Sequence, residues 1–303
     1  MNLKDKFILY LKAERNYSEN TISSYKSDLE QFEEFLKTYD SEINFENADR
    51  NSIRHFLGNL SENGLKGKSV SRKLSTLKSF YKFLQIRKVI EKNPTSLIGN
   101  PKIEKSLPKV LTNKEIERLI ELPNSQECGT DEENFLVLRD KLIFEIFYGT
   151  GMRVSELISL KVSSFNFGNE TVKIFGKGSK DRIVPYGKKV DEILSQFLKF
   201  RISFLSSETE FIFTTPKGKQ ITRQKVSQIL KKYISKITER EGISPHTLRH
   251  TFATHMLDAG ADIKYIRELL GHESLSSTQI YTHTSIEKLK QTYKLAHPRA
   301  GKR

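Results

Sequence analysis

The chain has 303 residues, with 51 Lys+Arg against 37 Asp+Glu, a formal net charge of +14 and a pI of about 9.6. That length supports two ordinary domains with cores of their own, and the positive field favours a polyanionic partner whose binding weakens with salt. No apolar run approaches the roughly 18 residues of a bilayer span, the charged start MNLKDKFILYLKAER does not read as a secretory leader, and the single Cys128 excludes an internal disulfide, so a cytoplasmic protein without membrane insertion is expected.

Residues 1–92 read as a four-helix domain. Apolar residues recur at helical spacing at Phe7, Ile8 and Leu11, then at Ile22, Tyr25, Leu29, Phe32 and Leu36 behind a Ser18 cap. A third set is Ile53, Phe56, Leu57 and Leu60, and a fourth is Val70, Leu74, Leu77, Tyr81 and Leu84. Residues 93–111 read as an extended linker, because Pro94, Pro101 and Pro108 forbid a continuous helix. From Lys66 to Lys109 the basic residues are opposed only by Glu91 and Glu104, whereas Asp28 to Asp49 is acidic. Arg72, Lys73 and Lys78 on the fourth helix are therefore the expected phosphate contacts, against the plainer reading of a solvated lysine face.

Residues 112–303 form the second domain, mainly helical with a small antiparallel sheet. Thr112 to Glu115 is a capping-box pattern, followed by a long helix around Phe135–Phe147. GTGMRVSEL then breaks and restarts the helix, which puts Arg153 at a new helix start with Glu156 three residues on. Strand-like TVKIF and RIVPY flank Gly176–Lys180, so Lys177 falls in a hairpin that it shares with Lys180 and Arg182. Helices are expected around 188–204, 222–238, 245–258 and 262–270.

The chemistry gathers in the last third of the chain. Ser244-Pro245 reads as an N-cap and first-turn proline, and His246 and Arg249 share one helical face at the N-terminus that follows, where phosphate is favoured. His272 and Tyr281 are nine residues apart and would point oppositely on one straight helix, but Gly271 and the Ser274, Ser276 and Ser277 cluster break it. Attack on a phosphodiester builds about a second negative charge on phosphorus, so preorganised guanidinium forks are the right donors. A phenol with pKa near ~10 becomes a nucleophile when a base takes its proton or cations hold the phenolate. Histidine and arginine supply both functions, and a lysine can protonate the leaving oxygen. His250, His255 and His283 are left to packing or capping. His246 and His250 have the spacing of zinc ligands, but Thr247, Leu248 and Arg249 lie between them where a hydrolytic site wants a glutamate, so no metal and no cofactor is expected.

Arg153, Lys177, His246, Arg249, His272 and Tyr281, with the run SPHTLRHTFATHMLDAGADIKYIRELLGHESLSSTQIYTH and the terminal AHPRAGKR, resemble the tyrosine recombinase (phage integrase) family, most closely its Xer branch. The resemblance covers the whole chain and makes Tyr281, rather than Tyr265 or Tyr293, the nucleophile. It implies a clamp on double-stranded DNA built from a SAM-like core-binding domain and a catalytic domain, with Glu156 orienting the catalytic arginine and histidine. It further implies a homo- or heterotetramer with a sister recombinase, a 3′-phosphotyrosyl intermediate, chromosome-dimer resolution at a dif-like site during cell division, an FtsK-type translocase as partner and a nucleoid-associated location. Lys177 is expected to be disordered or displaced until DNA binds, and the tail from Ser285, with Ile286, Leu289, Tyr293 and Leu295, is expected to dock on a neighbouring protomer, with packing on its own domain as the alternative. An integrase of a mobile element and a non-catalytic sequence-specific DNA-binding protein are the alternatives.

Overall fold

The computed structural model describes residues 2–101, 109–125, 128–176, 181–206, 209–271 and 283–300, with only the backbone for 283–286. Two compact units divide the chain, Met1–Ser106 and Leu107–Arg303. No described helix is long and apolar enough to cross a membrane.

In the first unit, short polar side chains start three of four helices by accepting the orphan N–H groups of the first turn. Asn2 caps α1 (Leu3–Ala13), Ser18 caps α2 (Glu19–Tyr39) and Asp49 caps α3 (Arg50–Glu62). The Asp49 carboxyl is held below its ordinary value, chiefly by the backbone N–H of Ser52. α4 (Gly67–Ile86) begins without a side-chain cap. Phe7, Leu29, Phe32, Ile53, Leu74, Leu77, Tyr81 and Leu84, all on the predicted apolar stripes, are buried together with Phe45, Phe80 and Phe83.

A buried carboxylate interrupts this apolar pattern. Asp28 does not belong to an acidic surface: it is 2% exposed and accepts from Lys73 Nζ at 2.8 Å, from Thr76 Oγ1 at 2.8 Å and from Arg72. Lys73, expected on a phosphate, is 7% exposed with its ammonium turned inward, because a buried carboxylate needs a paired cation. Arg72 keeps about half of its side chain in solvent, and Lys78 is partly exposed.

The second unit is built around α6 (Asp131–Thr150), whose C-terminal half is buried on every side. The Thr112/Glu115 capping box starts α5 (Asn113–Glu121), and a second, from Thr130 and Glu133, starts α6. α8 (Lys188–Phe204) and α10 (Pro245–Asp258) pack on α6, with α9 (Arg223–Ile234) alongside α10 and α7 (Val154–Ile158). α6 stops at Gly151, whose φ of +59° is left-handed and where a Cβ would meet Phe252 Cδ1 at 2.4 Å, so only glycine fits. The chain then restarts at once into α7. A three-stranded antiparallel sheet follows in the order β1 (Phe165–Asn166), β2 (Thr171–Phe175), β3 (Asp181–Pro185), with Val172 opposite Val184 and Ile174 opposite Arg182.

The tail departs from its expectation. α12 (His283–Ala296) packs on its own unit, against β3, α10 and α11 (Ile263–Leu270), and buries Leu289, Tyr293 and Ala296 while Leu295 stays exposed. Polar anchors hold its end. His297 is 1% exposed; its Nδ1 accepts the Arg299 backbone N–H at 3.2 Å, so the protonated Nε2 donates to Tyr148 O at 3.0 Å. Arg299 Nε donates to Glu145 Oε1 at 2.8 Å. Burial, offset only in part by the Tyr148 carbonyl and reinforced by the Arg299 charge, pushes the His297 imidazole down to about 3.

Candidate active site

The chain break between α6 and α7 places Arg153 at the N-cap position of a short helix, and Glu156 turns back toward it. Glu156 Oε2 accepts the Arg153 backbone N–H at 2.7 Å, and Oε1 accepts Arg153 Nη1 at 2.9 Å. Arg182 closes on the same carboxylate from β3, with Nη1 on Oε1 at 2.9 Å and Nη2 on Oε2 at 2.7 Å. Burial alone would raise the Glu156 carboxyl, but the hydrogen bonds and charge of Arg182, joined by those of Arg153, outweigh it and hold the group at about 2. Glu156 is an anion throughout the working pH range.

The end of α11 supplies the second anchor. A helix leaves its last carbonyls without intrahelical donors, and here three consecutive ones each take a different arginine. Arg182 Nε donates to Leu269 O at 2.8 Å, Arg249 Nη2 to Leu270 O at 2.6 Å, and Arg153 Nη2 to Gly271 O at a long 3.4 Å. Arg249 also donates through Nη1 to Gly151 O at 2.7 Å, so the carbonyl of the α6 stop and the end of α11 are bridged by one guanidinium. Gly271 is left-handed, with φ +64°, and a Cβ there would crowd Arg182 Cδ at 3.1 Å.

Three guanidinium charges against the one Glu156 carboxylate leave a surplus of two positive charges. Burial first, then the charges of Arg153 and Arg182, pull Arg249 down to about 10, which leaves it protonated at neutral pH but crowded by like charge. A phosphate-sized anion relieves that crowding, so the site is preorganised for one. Access is graded. Arg182 and Arg249 are 5% and 8% exposed, whereas 39% of the Arg153 side chain is open and His246 is exposed on the first turn of α10.

Among the sequence-predicted site residues, the structure thus brings Arg153, Glu156 and Arg249 together and puts His246 one turn from Arg249 behind Ser244 and Pro245. Lys177, His272 and Tyr281 lie outside the described residues, as does the expected displacement of Lys177. Tyr293, one of the two rival phenols, is 2% exposed, and burial pushes it well above the ordinary tyrosine range. His255, left to packing, meets the Tyr148 hydroxyl through Nδ1 at 3.0 Å.

Arg182 and Asp28 were missed as partners. The signal for Arg182 was alternation: it shares the inward face of β3 with Val184, where an arginine needs a carboxylate. Asp28 lies three residues after Tyr25 and four before Phe32, on the apolar stripe of α2 rather than on its acidic face.

The chain matches known proteins along nearly its whole length. Residues 109–288 match the phage integrase family, and residues 5–88 match the phage integrase N-terminal SAM-like domain. The tyrosine recombinase XerC of Bacillus subtilis (strain 168) is 42% identical, over 98% of this chain and 96% of its own length. The tyrosine recombinase XerD of Staphylococcus haemolyticus (strain JCSC1435) is 38% identical, over 98% of each chain. The crystal structure of the XerH site-specific recombinase bound to its difH substrate, a pre-cleavage complex, matches with TM-score 0.68 and 26% identity, covering 94% of this chain and 83% of that one. With family matches over both units and relatives of this similarity along nearly its whole length, the chain belongs to the phage integrase family of tyrosine recombinases, on the Xer branch, and is a site-specific DNA recombinase.

Proposed function

We propose that the chain cuts and rejoins duplex DNA through a covalent bond to Tyr281. The phenolic oxygen attacks the scissile phosphorus, the bond from phosphorus to the 5′ oxygen breaks, and a 3′-phosphotyrosyl link is left. The phenol proton passes to His246 or His272, and Lys177 protonates the departing 5′ oxygen. Arg153 and Arg249 stabilise the charge that builds on the non-bridging oxygens. The observation that supports this most is the arginine cluster pinned to Glu156 and to the carbonyls that end α11, a fixed positive field directly preceding His272 in the chain.

Since the energy of the broken bond is kept in the phosphotyrosyl link, a 5′-hydroxyl from a second duplex can reverse the step without ATP or a metal. Strand exchange through a Holliday junction then needs four protomers, two of them active at a time, in a homo- or heterotetramer with a sister recombinase. The XerH relative's substrate complex supports double-stranded DNA as the partner. Arg72 and Lys78 of the SAM-like unit contact phosphates, a part that Lys73, buried on Asp28, does not share. Chromosome-dimer resolution at a dif-like site, with an FtsK-type translocase, is the biological task that fits the Xer branch.

The test is incubation with a nicked suicide duplex in excess chelator. A denaturation-resistant protein–DNA species is expected; tight binding with no such species would favour a non-catalytic binder, and loss of cleavage to chelator would favour a metal nuclease.

A further inference from the structure

Arg182 stands outside the set of groups that touch phosphate in the proposed reaction, yet its side chain is tied more fully than that of Arg153 or Arg249. Its three guanidinium nitrogens make three hydrogen bonds, two to the separate oxygens of Glu156 and one to Leu269 O, all between 2.7 and 2.9 Å. At 5% exposure it has no room for an incoming phosphate. We propose that Arg182 is a positioning residue for recombination: it clamps Glu156 so that the carboxylate holds Arg153, and it ties β3 to the end of α11.

Among the described residues, the Glu156 carboxylate receives four hydrogen bonds, two from Arg153 and two from Arg182. With the Arg182 pair removed, the buried carboxylate keeps, of these four, the Arg153 backbone and side-chain donors. Two outcomes are then open to it, and both disturb Arg153. It can rotate to recover solvent, which moves the guanidinium, or it can take up a proton, which removes the charge that the guanidinium pairs with. Among the described residues, the groups that face Glu156 with charge are Arg153 at the start of α7, Arg182 on β3 and Arg249 on α10, and of these Arg153 and Arg182 touch it. A lysine at position 182 keeps a positive charge but lacks the fork that spans both carboxylate oxygens and Leu269 O together.

The inference rests on the phosphotyrosyl reading, and its test separates the two. Single-turnover cleavage of a nicked suicide duplex, carrying the site that the wild-type chain selects from random DNA, is measured across pH for the wild type, Arg182→Met, Arg182→Lys, Glu156→Gln and the Met/Gln double variant. Arg182→Met is expected to cleave about 100-fold more slowly, the scale of a misplaced catalytic group, with DNA affinity within about threefold. It should also acquire an acid limb, slowing as pH falls below about 7, because burial then dominates the Glu156 proton. Arg182→Lys should be slow without that limb. The double variant should be no slower than Glu156→Gln alone, since both changes act through one contact. Multiplicative losses, or Arg182→Met cleaving within twofold of wild type, would overturn the role. If Arg182→Met fails to fold, Arg182→Lys decides: wild-type cleavage by it overturns the clamp. Absence of any adduct with the wild type would instead overturn the phosphotyrosyl reading, and the role with it.

Discussion

Each of the two units contains a buried carboxylate gripped by two cations, and the two differ in what the cations do next. In the first unit Asp28 joins α2 to α4 through Lys73, Thr76 and Arg72, and among the described residues neither cation's side chain has a second anchor. In the second, Glu156 joins α7 to β3 through Arg153 and Arg182, and both arginines reach on to the carbonyls that end α11. Asp28 works as a pin for packing. Glu156 works as the centre of an electrostatic frame whose positive surplus is left over for a ligand. A buried ion pair is thus a poor guide to function by itself; the useful sign is a cation with a second anchor and some remaining exposure, as in Arg153.

Substitutions on the two sides of this comparison should fail in opposite ways. The largest effect is expected from Arg249→Ala or Arg153→Ala, which should slow single-turnover cleavage by about 100- to 1,000-fold while the duplex is still bound. A loss confined to binding would remove the distinction drawn for Glu156. Asp28→Asn should cost about 3 kcal/mol of stability in denaturant unfolding, because it strands the buried Lys73 ammonium, and leave cleavage by the folded fraction close to wild type. Should cleavage fall without a loss of stability, Asp28 is more than a packing pin.

The tail gives a pH-dependent contrast within the second unit. The docked His297 imidazole, held at about 3, lies below the ordinary value of 6.5 for the free side chain. Its folded-state value is depressed, so the folded state binds fewer protons than the undocked tail across that window. Docking is then at full strength above about pH 6.5 and weakens by about 1.4 kcal/mol per pH unit below it, until pH approaches 3. Amide protection in α12, taken relative to the intrinsic exchange rate at each pH, should fall between pH 7.5 and 5, and His297→Phe should flatten that dependence. Glu156, at about 2 against 4.5, contributes stability that is complete above pH 4.5 and is lost only as pH falls toward 2, so the Arg153 frame should persist where the tail loosens. The smallest effect is expected at Lys78→Glu, which should lower the slope of log affinity against log salt by about one unit and leave stability within about 0.5 kcal/mol.

Much of this organisation was legible in the residues. The helical stripes of the first unit became its core, and the Thr112/Glu115 box and the Ser244-Pro245 start appear as helix caps. Gly151 was legible as a break, because a left-handed stop against Phe252 admits no side chain. Partners across the fold were not legible. That Lys73 turns inward depends on a residue 45 positions earlier, and that Arg182 takes Glu156 depends on how β3 lies against α7. Of the two placements open to the tail, a neighbouring protomer or its own unit, the chain takes the second, with Leu289, Tyr293 and His297 buried and His297 on Tyr148. Helix periodicity marks an apolar face and leaves its occupant unspecified.

The proposed carrier of the broken strand is Tyr281, and the decisive experiment traps the adduct on a nicked duplex, digests protein and DNA, and maps the peptide that keeps a nucleotide. One modified peptide is expected, with the phosphate of a DNA 3′ end on the Tyr281 oxygen, and no such peptide from Tyr281→Phe. Attachment at Tyr265, a 5′ linkage, or an adduct that survives Tyr281→Phe would contradict it.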